Sequence, residues 1–269
     1  MKPEDITHGH SQKQADAELL DLRLRMETLR LCVVVPTYNN EKTLSEVLNE
    51  ILRYTSSVIV VNDGSTDGTG KILERFAGRV EVVAYMPNRG KGYALKSGFD
   101  CAEALGFRGV ITLDSDGQHQ VAELVRFVEY ATLYPDTLLL GQRTTEGDMP
   151  AKSSFANQFS NFWFAVQTAY RLRDTQNGFR LYPLSAMKGL RPLTSRYEAE
   201  LEMLVRSAWK GICIVPVPTC VYYPPEGERI THFRPGKDFL RISLLNTILT
   251  LLAIVYGYPS MFIHRLLKK

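Results

Sequence analysis

The chain reads as an α/β protein with a mostly parallel central sheet and helices on both faces. Three observations predict it. Short apolar runs alternate with segments whose apolar residues recur at three and four. Several of those runs are apolar at consecutive positions, as in strands buried on both faces. They run into clusters of Asn, Asp, Gly and Ser that form turns. In such folds ligands bind at the carboxyl ends of the strands, so the chemistry is expected there.

The elements follow in order. Residues 1–12 are polar and lack the apolar stretch of a secretory signal. Ala15, Leu19, Leu22, Met26 and Leu29 then mark an amphipathic helix, so residues 1–30 form a helical extension expected to pack on the rest of the chain. Leu31-Cys32-Val33-Val34-Val35-Pro36 is the first strand, and Leu44, Val47, Leu48, Ile51 and Leu52 define the helix after it. Residues 58–61 form a second strand closed by Asn62-Asp63-Gly64-Ser65-Thr66-Asp67-Gly68. Residues 80–84 form a third, leading to Asn88-Arg89-Gly90-Lys91-Gly92 and another helix. Residues 110–113 form a fourth.

That fourth strand ends in Asp114-Ser115-Asp116-Gly117-Gln118-His119. Two carboxylates so close in sequence repel unless a cation or hydrogen-bond donors offset them. A pair of this kind at a strand end either caps the following turn or holds a divalent cation against a diphosphate.

Pro36-Thr37-Tyr38-Asn39, Asn62-Asp63-Gly64-Ser65-Thr66-Asp67, residues 88–92, Asp114-Ser115-Asp116-Gly117-Gln118-His119 and Gly141-Gln142-Arg143 occur in the order of a known family. Together they resemble the family 2 glycosyltransferases of the GT-A (nucleotide-diphospho-sugar transferase) fold, over roughly residues 30–230. Asp174-Thr175-Gln176-Asn177-Gly178-Phe179-Arg180 and Tyr197-Glu198-Ala199-Glu200 are similar to the polyprenyl-phosphate sugar synthase branch.

The resemblance implies an inverting transfer from a UDP- or GDP-sugar, with Mg²⁺ or Mn²⁺ held by Asp116, Gln118 and Asp114; Asp114 meets either the metal or the ribose. Pro36 and Tyr38 frame the base pocket and Asp63 accepts from the nucleobase. Glu41 stands one place beyond the family's usual glutamate, a position occupied here by Asn40, and a small loop adjustment brings it to the nucleotide. Arg143 aligns with the acceptor-side arginine and Arg229 with the arginine that closes on the donor diphosphate. Lys91 and Arg180 are either phosphate contacts or structural charges. Glu200 lies where members with hydroxyl acceptors place a general base, or it pairs on its own helix. The acceptor is expected to be lipid-linked, polyprenyl phosphate first. A hydroxyl of another lipid or glycan, or a catalytically silent nucleotide-sugar binder, are the alternatives. A related nucleotidyltransferase is disfavoured because the Gly-x-Gly-x-Arg phosphate loop is missing.

Composition fits one catalytic domain, 31–228, flanked by extensions. The chain has 269 residues, 45% of them hydrophobic, and a net charge of +3 that is too small to imply nucleic acid. The four cysteines are widely spaced, and Cys32 and Cys213 sit in apolar runs, so buried reduced thiols are expected. Residues 229–269 differ from the rest. Residues 242–263 carry no charge, long enough to cross a bilayer core, but Asn246, Gly257 and Pro259 interrupt them and both flanks are basic. A single crossing would put one basic flank outside, against the positive-inside tendency. A membrane-surface or re-entrant segment on the cytoplasmic face is therefore expected, peripheral or monotopic, with a buried or dimer-forming helix as the alternative and homo-oligomerisation left open.

Overall fold

The computed structural model describes residues 3–144, 151–221 and 235–267. In chain order these form α1 (Pro3–Thr28), β1 (Leu31–Thr37), α2 (Leu44–Tyr54), β2 (Val58–Asp63), α3 (Thr69–Arg75), β3 (Glu81–Tyr85) and α4 (Lys91–Ala104). Next come β4 (Gly109–Thr112), α5 (Leu124–Leu133), β5 (Leu138–Arg143), α6 (Ala151–Thr168), β6 (Arg180–Pro183), α7 (Glu198–Trp209), β7 (Ile214–Thr219), α8 (Pro235–Leu252) and α9 (Tyr258–Leu267).

The seven strands make one sheet in the order β3-β2-β1-β4-β6-β5-β7. All neighbours are parallel except β6, which runs antiparallel between β4 and β5. β1 is buried at every position, because its unbroken apolar run meets helices on both sides. Its Val33 and Val35 enter one core with Leu44, Leu48 and Ile51 of α2 and Phe127 of α5. Cys32 and Val34 enter the other with Leu95 and Phe99 of α4 and Met203, Leu204 and Trp209 of α7. Each such aliphatic side chain contributes about 1.5–3 kcal/mol when fully buried.

The N-terminal helix packs on the domain as expected. Leu22 and Met26 are buried in the first core, and Arg23 donates to the Arg53 carbonyl at 2.7 Å across to the end of α2. The C-terminal helices are half inside: Leu245, Leu249, Ala253 and Met261 join the second core, whereas Leu244, Leu251, Val255 and Phe262 face outward. A π-turn at Ala253–Gly257 separates α8 from α9, where Pro259 lacks the amide that would continue the helical ladder. The cysteine expectation holds for Cys32 only. All four thiols are free, but Cys213 and Cys220 are exposed, because Cys213 precedes β7, a strand buried on only one side.

Candidate active site

β4 delivers Asp114 and Asp116 to the carboxyl edge of the sheet, with Gln118 just beyond. The amide of Gln118 donates to Asp116 Oδ1 at 3.0 Å and holds the turn. Lys91, the first residue of α4, reaches across to this edge. Its Nζ lies 2.7 Å from Asp114 Oδ1 and 3.0 Å from Glu200 Oε2. Three segments far apart in sequence thus converge on one ammonium. Two glycines permit the approach: a Cβ on Gly178 would sit 2.5 Å from Asp114 Oδ2, and one on Gly92 would sit 2.4 Å from the Ala199 Cβ at the start of α7.

Glu200 lies in the first turn of α7. Its Oε1 is buried with no hydrogen-bond partner among the described residues. Its backbone carbonyl accepts from Arg180 Nη1 at 2.7 Å. Arg180 is fully buried and also donates to the carbonyls of Asn177 and Thr175. Of the two roles open to it, the Arg180 guanidinium takes the structural one here, bracing the 175–180 loop and Glu200.

Burial disfavours every charge in this cluster, yet the neighbours decide the outcome. Asp114 and Glu200 hold the Lys91 ammonium well above the ordinary lysine range. Lys91, with His119 and Arg180, holds Asp114 below the usual carboxylate value despite burial. Asp116 moves the other way: burial and then the charge of Asp114 push it up. The edge thus carries one carboxylate matched by lysine and a second whose charge is incompletely offset. Two carboxylates and the Gln118 amide oxygen form a hard-donor set that fits Mg²⁺ or Mn²⁺. Among the described residues no cluster of three His, Cys, Asp or Glu forms a closed cage. Such a cation would therefore share its coordination with ligand phosphates, as Mg²⁺ commonly does.

The nucleotide-side candidates form a second layer at the ends of β1 and β2. Asp63 is buried; it accepts from Arg89 N at 2.7 Å, Gly90 N at 2.8 Å and Asn88 Nδ2 at 2.8 Å, so it builds the turn that presents Lys91. Pro36 lies near the end of β1 and Tyr38 directly follows the strand; the Pro36 carbonyl accepts from Ser115 Oγ at 3.2 Å. Glu41 Oε2 accepts from Gly68 N at 2.7 Å, while Asp67 Oδ2 accepts from Glu41 N at 3.1 Å. Reciprocal bonds lock the two loops together. Asn40, at the position of the family's glutamate, is a contact the motif alone does not reveal: its Nδ2 donates to Ser115 Oγ at 2.5 Å, tying the β1 loop to the aspartate pair.

On the acceptor side, Arg143 is ion-paired. Its Nε and Nη2 grip Asp174 at 2.5 and 2.6 Å in a bidentate pair. His119 Nε2 lies 3.1 Å from Asn177 Oδ1, and its ring packs on Phe179. Arg229 lies outside the described residues.

The Glycosyl transferase family 2 profile matches residues 32–190. The chain is 29% identical over 208 residues to a polyprenol monophosphomannose synthase of Mycolicibacterium smegmatis, covering 71% of this chain and 77% of that one. It is 29% identical over 273 residues to a dolichyl-phosphate beta-glucosyltransferase of Mus musculus, covering 88% and 81%. In fold it is similar to the glucosyl-3-phosphoglycerate synthase of Mycobacterium tuberculosis solved with Mn²⁺, UDP and phosphoglyceric acid, with a TM-score of 0.64, 21% identity and coverage of 87% and 81%.

Proposed function

The chain belongs to glycosyl transferase family 2, and on that premise we propose that it moves a hexose, with inversion, from a UDP- or GDP-sugar to polyprenyl phosphate at the cytoplasmic face of a membrane. The names of the relatives support a lipid phosphate acceptor. The observation that carries the choice is the Lys91 clamp: Glu200 Oε2, where a hydroxyl acceptor would need a base, is bonded to an ammonium at 3.0 Å. A phosphate monoester is ionised near neutral pH and attacks without losing a proton.

In this reading the bond from the anomeric carbon to the donor diphosphate breaks, its electron pair leaves with the diphosphate, and a phosphate oxygen of the acceptor bonds to the opposite face of that carbon. Asp116, Gln118 and Asp114 would hold Mg²⁺ or Mn²⁺, which would supply charge neutralisation for the leaving diphosphate. Lys91 keeps Asp114 ionised and in place. Arg180, through the Glu200 carbonyl, fixes the start of α7, and the paired 39–41 and 65–68 loops set the floor for the nucleotide. Asp63 acts mainly by shaping the turn at 88–90. Arg143, held by Asp174, orders the acceptor side.

A second reading, transfer to a hydroxyl, is favoured by one feature: the buried Glu200 Oε1 has no partner among the described residues. The test is to supply each UDP- and GDP-sugar with Mn²⁺ and either a short-chain polyprenyl phosphate or the matching polyprenol. Product from the phosphate alone is expected. Product from the polyprenol alone overturns the lipid-phosphate assignment.

A further inference from the structure

The polarity of α6 is inverted. Its buried side carries Asn157, Ser160, Phe164, Gln167 and Thr168, whereas Phe155 and Phe162 are 67% and 60% exposed, with Phe159 and Val166 half-buried between them. These four recur at four, three and four, which places them along one stripe of the helix. A helix in a water-soluble protein points that stripe at the core. Here the polar side turns inward and is bonded there: Asn157 donates to the Arg173 carbonyl, Ser160 accepts from Thr175, and Gln167 Nε2 donates to Asn246 Oδ1 at 3.0 Å.

Asn246 belongs to α8, which shows the same inversion. It is buried beside Leu245 and Leu249, while Leu240, Leu244, Ile248 and Leu251 are exposed. The run Leu240–Leu267 is long and apolar enough to cross a membrane, with a mean hydropathy of 1.7, yet only 28% of its most apolar window is buried. It and α6 are tied at two places, Gln167 to Asn246 and Tyr258 OH to the Val166 carbonyl, and Arg265 lies over the ring of Tyr170, just past α6, at 5.6 Å. Two neighbouring helical elements therefore keep amides on the inside and aromatic and aliphatic groups on the outside. Apolar surroundings select that arrangement, because buried amides pair with each other and exposed apolar groups meet lipid.

We propose that α6 is a second membrane-seated element, and that its Phe155–Phe162 stripe and the outer faces of α8 and α9 form one composite surface that rests in the headgroup layer of an anionic bilayer. Charge agrees with that occupant. The basic residues Arg171, Arg173 and Arg265 are exposed at the ends of these helices, and Lys268 and Lys269 follow in sequence. Tyr170, Tyr256 and Tyr258 supply the amphipathic aromatics favoured at the water–lipid boundary. The inference rests on the lipid-linked acceptor proposed above but extends it, because the anchor then includes the helix that follows the acceptor-side strand β5 and is not confined to the tail.

The test uses the full chain and sedimentation with vesicles of equimolar phosphatidylcholine and phosphatidylglycerol. Phe155→Ser/Phe162→Ser should lower partitioning on the order of tenfold to a hundredfold, given the value of burying two phenylalanine rings. Leu133→Ser, at the exposed end of α5, should leave it unchanged. Thermal stabilisation by UDP or GDP with Mn²⁺ should be equal in all variants, which shows that each is folded and binds nucleotide. Partitioning of the double phenylalanine variant equal to the parent overturns the proposal. So does a parent that ignores vesicles and self-associates through the same phenylalanines. Failure of the acceptor assignment would look different: vesicle binding would depend on Phe155 and Phe162 while polyprenyl phosphate gave no product.

Discussion

Replacing Lys91 by methionine separates a structural clamp from a simple phosphate ligand. The substitution keeps the volume and removes the charge that Asp114 and Glu200 share at 2.7 and 3.0 Å. Removing one member of a fully buried ion pair costs about 3–5 kcal/mol, because its partner is left charged and unpaired. Here the side chains of Lys91, Glu200 and Asp114 are 16%, 11% and 27% exposed, so water screens part of the loss. A destabilisation of about 2–4 kcal/mol is expected. Urea unfolding of parent and variant measures it, and the deficit should shrink with Mn²⁺ present, since a cation at the aspartate pair offsets part of the uncovered charge. A cycle with Glu200→Gln should show coupling between the two sites. If Lys91→Met unfolds at the parent's urea midpoint and only binds donor more weakly, Lys91 is a ligand contact and the clamp reasoning is wrong.

Three further outcomes follow from the same geometry. Asp116→Asn should abolish transfer and remove the metal-dependent part of nucleotide affinity, measured by calorimetric titration with and without Mn²⁺, because an amide lacks the charge a hard cation needs. Hydrogen bonds from Thr69 and the Glu41 amide outweigh burial and hold Asp67 below the usual carboxylate range; its stabilisation is present above the unfolded value of about 4 and is lost as pH falls through the folded value, so the urea midpoints of parent and Asp67→Asn should differ near pH 7 and converge toward pH 3. Truncation before Arg241 removes Leu245, Leu249 and Met261 from the second core and should destabilise the remainder by at least about 4 kcal/mol, an expectation contradicted by a truncated chain with an unchanged melting temperature.

Much of the framework is legible in sequence because it is local. The run 31–36 is apolar at every place, so β1 had to be central, and Asp114-Ser115-Asp116 had to lie at the edge its strand points to. The partners of those residues are not local. Lys91, Asp114 and Glu200 meet through packing of α4 against α7, permitted by Gly92 and Gly178, and no spacing rule encodes that. Likewise Arg143 carries the residue type for phosphate recognition, but only the fold reveals that Asp174 occupies it. Arg180 could be either a ligand contact or a structural charge by sequence, because fully buried arginines are uncommon and only the fold shows the three carbonyls around its guanidinium. The α6 stripe was readable by helical period, yet a period alone does not tell which side faces the core. The buried Asn157, Ser160 and Gln167 settle that.

The central claim, transfer to an acceptor that arrives already ionised, is tested most directly by Glu200→Gln. The amide oxygen can still accept from Lys91, so the clamp keeps its shape while the carboxylate is lost. Turnover with polyprenyl phosphate at saturating donor should stay within a few-fold of the parent, whereas loss of a general base costs roughly 10²–10⁴-fold. A loss of that larger size, with donor affinity and melting temperature unchanged, would contradict the account and make Glu200 the base for a hydroxyl acceptor.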